Sequence, residues 1–234
     1  MTRLLLAGAG EAADLAAFLG RLVRWDKAAV VRLRSTEGVL AVFGQPPFGG
    51  VLAIRTASLR EVRDLDATVS AGQLLEGIEE GGSEGSGAPS GGASGDGGDA
   101  VVVPPSVTGP AWAGLLPPRG GWQRAAEFAP DDVRAAAKRL VGEFRSRTEV
   151  LVPERRTRAE LDALAEEVWS RPVGDTVLPM RAVHAAQALG FLREGGVEPL
   201  LLLTAGAWLR LRTPYGSVAV RRTTLGSGLT VTPA

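Results

Sequence analysis

The feature that most constrains this chain is a likeness to itself: shifting residues 29–42 by 178 positions lays them on 207–220 without a gap. Ala29-Val30-Val31-Arg32-Leu33-Arg34-Ser35-Thr36-Glu37-Gly38-Val39-Leu40-Ala41-Val42 faces Ala207-Trp208-Leu209-Arg210-Leu211-Arg212-Thr213-Pro214-Tyr215-Gly216-Ser217-Val218-Ala219-Val220, and seven of the fourteen positions are identical. Each segment alternates apolar with basic residues and turns at a glycine, which is the pattern of a half-buried hairpin. The same offset pairs Gly50 with Gly228. Internal similarity of this kind points to a duplicated unit, here a helix plus a three-stranded meander, with other elements inserted between the copies. The expected fold is therefore α+β, with two related lobes, each a helix packed on a short antiparallel sheet.

Between the copies, residues 77–100 hold ten Gly, four Ser and five acidic residues. Such a stretch buries too little apolar surface to offset its ordering entropy and is expected to be a disordered acidic linker. As a Gly-rich coil it would span on the order of 25 to 30 Å. This divides the chain into an N-terminal lobe at 1–76, the linker at 77–100, and a C-terminal part at 101–234.

Before the linker, Leu15, Phe18, Leu19 and Leu22 fall at helical spacing within Asp14–Trp25, and strands are predicted over Ala29–Arg34, Val39–Phe43 and Val51–Thr56. Ser70–Glu76 adds one helical turn that Ser70 can cap. Beyond the linker, the Pro- and Trp-rich stretch 104–122 reads as extended chain. Three helices follow: Asp131–Arg145 behind Pro130; a helix opened by the capping box Thr157-Arg158-Ala159-Glu160; and one from Pro179 to about Arg193. The end is β again, over Pro199–Thr204, Ala207–Arg212, Gly216–Arg222 and Leu229–Thr232.

Composition excludes several chemistries. The chain of 234 residues has no cysteine and one histidine, so disulfides, thiolate nucleophiles and sites needing two imidazoles from one chain are ruled out. No metal and no cofactor is expected. Basic and acidic residues balance at 26 each, which argues against a dedicated nucleic-acid binder. The balance conceals a separation: residues 1–100 carry 9 basic and 13 acidic side chains and residues 101–234 carry 17 and 13, or about −4 and +4. No segment reaches the roughly 18 to 20 apolar residues of a membrane span, and Glu11 and Asp14 interrupt the signal-like start. The expected location is cytoplasmic.

Two motif matches fail on context. Gly8-Ala9-Gly10-Glu11-Ala12-Ala13 suggests a dinucleotide turn, but the strand behind the helix returns at once as a hairpin and not through a crossover. Gly81-Gly82-Ser83-Glu84-Gly85 matches a nucleophile elbow with no strand before it and no helix after it.

The candidates that remain are for binding. Arg181, His184 and Gln187 recur every three residues on the last predicted helix, where Arg181 and His184 could hold a small anion. Arg210, Arg212, Arg221 and Arg222 lie in an acid-free end, and alternation puts Arg210 and Arg212 on one strand face with Arg222 brought beside them. Trp112, Arg119 and Trp122 could dock a partner or pack on the protein's own core.

The strings Leu116–Gln123, Trp169-Ser170-Arg171-Pro172, Leu178–Ala186 and Trp208–Ser217 resemble a family of uncharacterised actinobacterial proteins, a likeness that covers most of the chain outside the linker and fits its scarcity of lysine. The resemblance implies unknown function and transfers no mechanism. The first β segment followed by Thr68–Leu75 is faintly similar to one repeat of the DNA sliding clamps; a single such stretch does not set the expected fold. The function expected from these observations is a non-catalytic protein-interaction, regulatory or scaffold module with an unknown protein partner, the lobes pairing within one chain or in a homodimer. The alternatives are an enzyme or binder for a small anionic ligand at Arg181 and His184, and weak nucleic-acid association through the C-terminal arginines.

Overall fold

The computed structural model describes residues 2–83, 100–152 and 156–222. Alternation and hairpin turns build one eight-stranded antiparallel sheet where two short sheets are predicted. Its strands are β2 (Val30–Thr36), β3 (Val39–Gly44), β4 (Leu52–Ser58), β5 (Leu65–Ser70), β7 (Gln123–Phe128), β8 (Leu200–Ala205), β9 (Trp208–Thr213) and β10 (Gly216–Arg221), in the order β5-β2-β3-β4-β10-β9-β8-β7. The halves join edge to edge, with Ser217, Val218 and Ala219 opposite Ile54, Ala53 and Leu52. Joining removes two exposed edges that separate sheets would leave unpaired. A second sheet holds β1 (Thr2–Leu5) and β6 (Ala100–Val103).

Among the described residues, five α-helices cover one face: α1 (Ala9–Trp25), α2 (Ala71–Ser83), α3 (Pro130–Val150), α4 (Arg158–Trp169) and α5 (Met180–Ala188). The three in the C-terminal half were predicted. Pro130 opens α3, and Thr157 caps α4 by accepting from the Glu160 backbone N–H at 3.3 Å. The last helix stops at Ala188, short of Arg193, because Gly190 takes a left-handed φ of 72° and returns the chain. Two helices, not one, serve the N-terminal half.

The linker boundary also moves. Helix α2 continues through Ser83, since Leu74 and Ile78 at i, i+4 are both buried. Gly77 lets it approach β6: a Cβ there would stand 2.4 Å from the Val102 carbonyl oxygen. Residue 100 already pairs with β1, so this strand returns to the N-terminal half. The rest of the predicted disordered linker, 84–99, and the predicted strand Leu229–Thr232 with Gly228 lie outside the described residues.

One hydrophobic core runs through both halves, from Leu15, Phe18 and Leu19 of α1 to Leu178, Val183 and Leu189 of the C-terminal part. Phe18 stacks on Phe191 at 6.0 Å. Asp14 of α1 ties the halves by charge, accepting from Arg55 of β4 and from Arg193, each at 2.7 Å. Arg193 lies over the Tyr215 ring at 4.1 Å, and Arg55 also donates to the Tyr215 carbonyl.

From the junction outward, the sheet relates β4 to β10, β3 to β9, β2 to β8 and β5 to β7. Helix order agrees, because α1 precedes β2 as α5 precedes β8, and α2 follows β5 as α3 follows β7. The self-similarity at offset 178 instead lays β2 on β9, one strand out of step.

Candidate functional site

Opposite the helices, the sheet presents its second face, and alternation decides what lies there. Val31, Leu33 and Ser35 of β2 are buried toward the helices, so Arg32 and Arg34 point the other way. The register sets Phe43 opposite Arg32, Ile54 opposite Phe43, and Ser217 opposite both Ile54 and Arg212, with Ala219 opposite Arg210. These residues therefore share one helix-free face.

The Pro- and Trp-rich stretch straps across it. The Val107 N–H donates to the Thr68 carbonyl of β5 at 2.8 Å, and a short 3-10 turn over Ala111–Gly114 presents Trp112. Trp112 and Leu116 pack on a small apolar cluster of Phe43, Ile54 and Ala219, joined by Trp208. Trp122 donates its indole N–H to the Pro118 carbonyl at 3.0 Å, and the Arg210 guanidinium stands 5.7 Å above its ring. The two tryptophans thus engage their own sheet, while Arg119 is exposed.

Two adjoining hollows on this face share Ile54, Thr56 and Arg210. One, of about 350 Å³, is lined by Arg34, Arg119, Phe43, Pro117 and Pro118, with Glu37. The other, of about 600 Å³, takes in Arg212 and Ser217 with Glu198, and reaches past the sheet to Arg55 and to Glu11 of α1. The arginines differ in how they are balanced. Arg32 and Arg34 face Asp66 at 2.6 and 3.5 Å. Arg210 donates only to the neutral Ser217 hydroxyl, at 2.9 Å. Burial, and then the neighbouring Arg212, lowers the Arg210 guanidinium from its ordinary range. Arg119, Arg210 and Arg212 make no ion pair with a described residue.

Arg222 does not join them. It follows Arg221, which faces Trp208 across the hairpin and shares the face of Arg210 and Arg212, so strict alternation turns Arg222 away. Its guanidinium donates to the Gly206 carbonyl.

His184 lies in a cleft of about 550 Å³ lined by α3, α4, α5 and the 45–51 loop, and Arg181 stands between this cleft and a hollow of about 860 Å³ that it shares with Trp112, Trp208, Arg221 and Arg222. Arg181 is already engaged. It donates to Glu166 Oε1 at 2.6 Å, to Ser170 Oγ at 2.5 Å and to the Gly49 carbonyl at 3.3 Å. Gly49 has a φ of 60°, and a Cβ there would stand 2.9 Å from Arg181 Nη1. The hydrogen bond from Ser170, then Arg181, holds the Glu166 carboxyl below its usual value. His184 stacks on Trp169 at 4.3 Å and meets Phe48 edge-on at 4.9 Å. Its Nδ1 is buried without a partner, as is Gln187 Oε1, and burial lowers the imidazole pKa. Among the described residues, no nucleophile and no carboxylate hydrogen-bonds this imidazole at Nδ1.

Phe48, Phe144, Trp169 and Glu166 were missed in the sequence; the Pro-Pro-Phe-Gly-Gly loop was the one visible signal for Phe48. Among the described residues, no group of three or more His, Asp or Glu could hold a metal, and no helix is long and apolar enough to cross a membrane.

Residues 1–114 match the model of a domain of unknown function, DUF8010, and residues 117–225 match that of a second, DUF8185. Together the two matches take in most of the chain, and both are domains of unknown function. Their boundary falls within the strap, between the turn that presents Trp112 and the Pro117-Pro118 pair. No curated protein matches. Among solved structures, the crystal structure of the DNA polymerase sliding clamp from Caulobacter crescentus is similar at 13% identity and a TM-score of 0.48, covering 94% of this chain and 65% of that one. The chain thus spans about two thirds of that structure's length.

Proposed function

We propose that this protein is a non-catalytic interaction module that binds an acidic segment of a protein partner across the helix-free face, through Arg119, Arg210 and Arg212. The observation that carries this reading is Arg210 beside Arg212 with no carboxylate partner among the described residues. Two like charges on one strand face repel, and an incoming carboxylate relieves that repulsion while gaining charge-assisted hydrogen bonds. The face also mixes cations with an apolar ridge of Phe43, Ile54 and Pro117, which suits a peptide carrying acidic and apolar side chains in alternation. Glu37 and Glu198 interrupt it, an arrangement that disfavours a continuous phosphate backbone. Arg181 and His184 serve an anion less well, because Glu166 and Ser170 already occupy Arg181.

The test is fluorescence anisotropy with a labelled peptide of alternating Glu and Leu, beside a single-stranded oligonucleotide of equal charge. The Arg210→Ala, Arg212→Ala double variant is expected to weaken peptide binding by about tenfold or more, while Arg222→Ala leaves it near the wild-type value. Tighter binding of the oligonucleotide, or peptide affinity unchanged in the double variant, sinks this reading.

A further inference from the structure

We infer that the cleft between α3, α4, α5 and the 45–51 loop binds a small organic monocation, an alkyl- or arylammonium group held between aromatic rings and carboxylates. This is a different site from the arginine face, with the opposite charge preference. The argument starts from the lining: Asp162 and Glu166 against Arg181, a net charge of −1 with His184 neutral. Arg181 is spent on Glu166 Oε1, Ser170 and Gly49. Glu166 Oε1 takes both Arg181 and Ser170, so Oε2 accepts nothing from a described residue. Among the described residues Asp162 meets only Arg158, at 3.5 Å between two strongly exposed groups, a pair that solvent screens.

The remaining wall is aromatic. The Trp169 and His184 planes lie within 24° of each other, and Phe48 stands at 81° to His184, so the rings form two roughly perpendicular walls. Phe144 extends the Trp169 side at 5.7 Å. Ring faces attract an ammonium group by their quadrupoles, and the preference is strongest where water is partly excluded. The volume lies within the range of small-molecule sites. An unprotonated His184 adds no repulsion, and the groups facing it supply the sign: Asp162 and Glu166 from α4 and Arg181 from α5, with only Val141 and Phe144 lining the cleft from α3 and only Pro47, Phe48 and Gly49 from the loop.

The experiment titrates the full chain with 2-phenylethylammonium and, separately, with 3-phenylpropionate, which has a similar body and the opposite charge. Calorimetry and intrinsic tryptophan fluorescence read the binding. The ammonium probe is expected to bind saturably and at least about tenfold tighter than the carboxylate. Asp162→Asn, at an exposed position that leaves the fold intact, weakens it about three- to tenfold. Trp169→Phe removes the fluorescence response. Arg210→Ala changes nothing here, which separates this site from the arginine face. Carboxylate binding as tight as ammonium binding overturns the proposal. So does unchanged affinity in Asp162→Asn, or no saturable binding of the ammonium probe up to about 10 mM.

Discussion

The two faces of the eight-stranded sheet are written by the same alternating residues and do opposite work. Toward the helices, Val31, Leu33, Leu209 and Leu211 are fully or almost fully buried in a core common to both halves. Away from the helices, the intervening Arg32, Arg34, Arg210 and Arg212 share their face with a strap and a small apolar cluster. The difference teaches where stability and recognition are separated. Burial on the first face supplies about 25 cal/mol for each Å² of apolar surface, whereas the second face can be rewritten at much lower cost. It also shows that equal sequence signals need not give equal chemistry, because Arg32 and Arg34 share the Asp66 carboxylate while no carboxylate among the described residues pairs with Arg210 or Arg212.

The largest expected effect tests the first face. Phe18→Ala removes a fully buried ring that reaches Phe191 across the halves, and should destabilise by about 3 to 5 kcal/mol in denaturant unfolding. One cooperative transition should remain, since both halves share the core. Two separated transitions would restore the picture of independent lobes. Asp14→Asn acts on the same junction by charge, leaving Arg55 and Arg193 without their shared carboxylate, and should cost about 1 to 3 kcal/mol. On the second face, Trp112→Ala frees the strap from Phe43, Ile54 and Ala219. A loss of about 1 to 2 kcal/mol is expected, below that of Phe18→Ala because Trp112 is only half-buried. Faster proteolysis within 104–122 checks it, and a loss equal to that of Phe18→Ala would erase the contrast between the faces.

Much of the first face could be read in the sequence, because periodicity reports burial directly. Leu15, Phe18, Leu19 and Leu22 mark α1, and the alternation of Val31 and Leu33 with Arg32 and Arg34 fixes both the strand and its buried side. Short strands were not legible: Leu65–Ser70 alternates Leu65, Ala67 and Val69 toward the core but only over six residues with a small alanine at its centre, and β1 and β6 are four residues each. Nor could a one-dimensional pattern say that β4 would pair with β10 and merge two sheets into one. The candidate sites were legible as residue types but not as partners. Arg181 and Arg210 look alike in the sequence, and only the fold shows that Glu166 of α4 reaches the first while no acid among the described residues reaches the second. The cleft around His184 draws Phe48, Phe144 and Trp169 from three separate elements, and no local spacing connects them.

The smallest effect concerns titration, and its sign can be worked out. Burial lowers the folded pKa of His184 below its ordinary value of 6.5, so the unfolded chain binds more protons as pH falls through that window. Stability from this group is present above pH 6.5 and is lost as pH drops through the folded pKa. Glu167 behaves in the same direction at lower pH: hydrogen bonds from Arg147, then Arg171, hold its carboxyl at about 2, so its contribution is present above its ordinary 4.5 and fades toward 2. Because Glu167 is exposed, solvent screens that network, and Glu167→Gln should leave the melting temperature within error at pH 7. His184→Gln should flatten the stability profile between pH 7 and the folded pKa without moving the acid limb below pH 4.5. The two limbs report different parts of the helical layer, one inside the aromatic cleft and one on its outer surface. A profile that His184→Gln leaves unchanged would mean that the ring is not held neutral between Trp169 and Phe48.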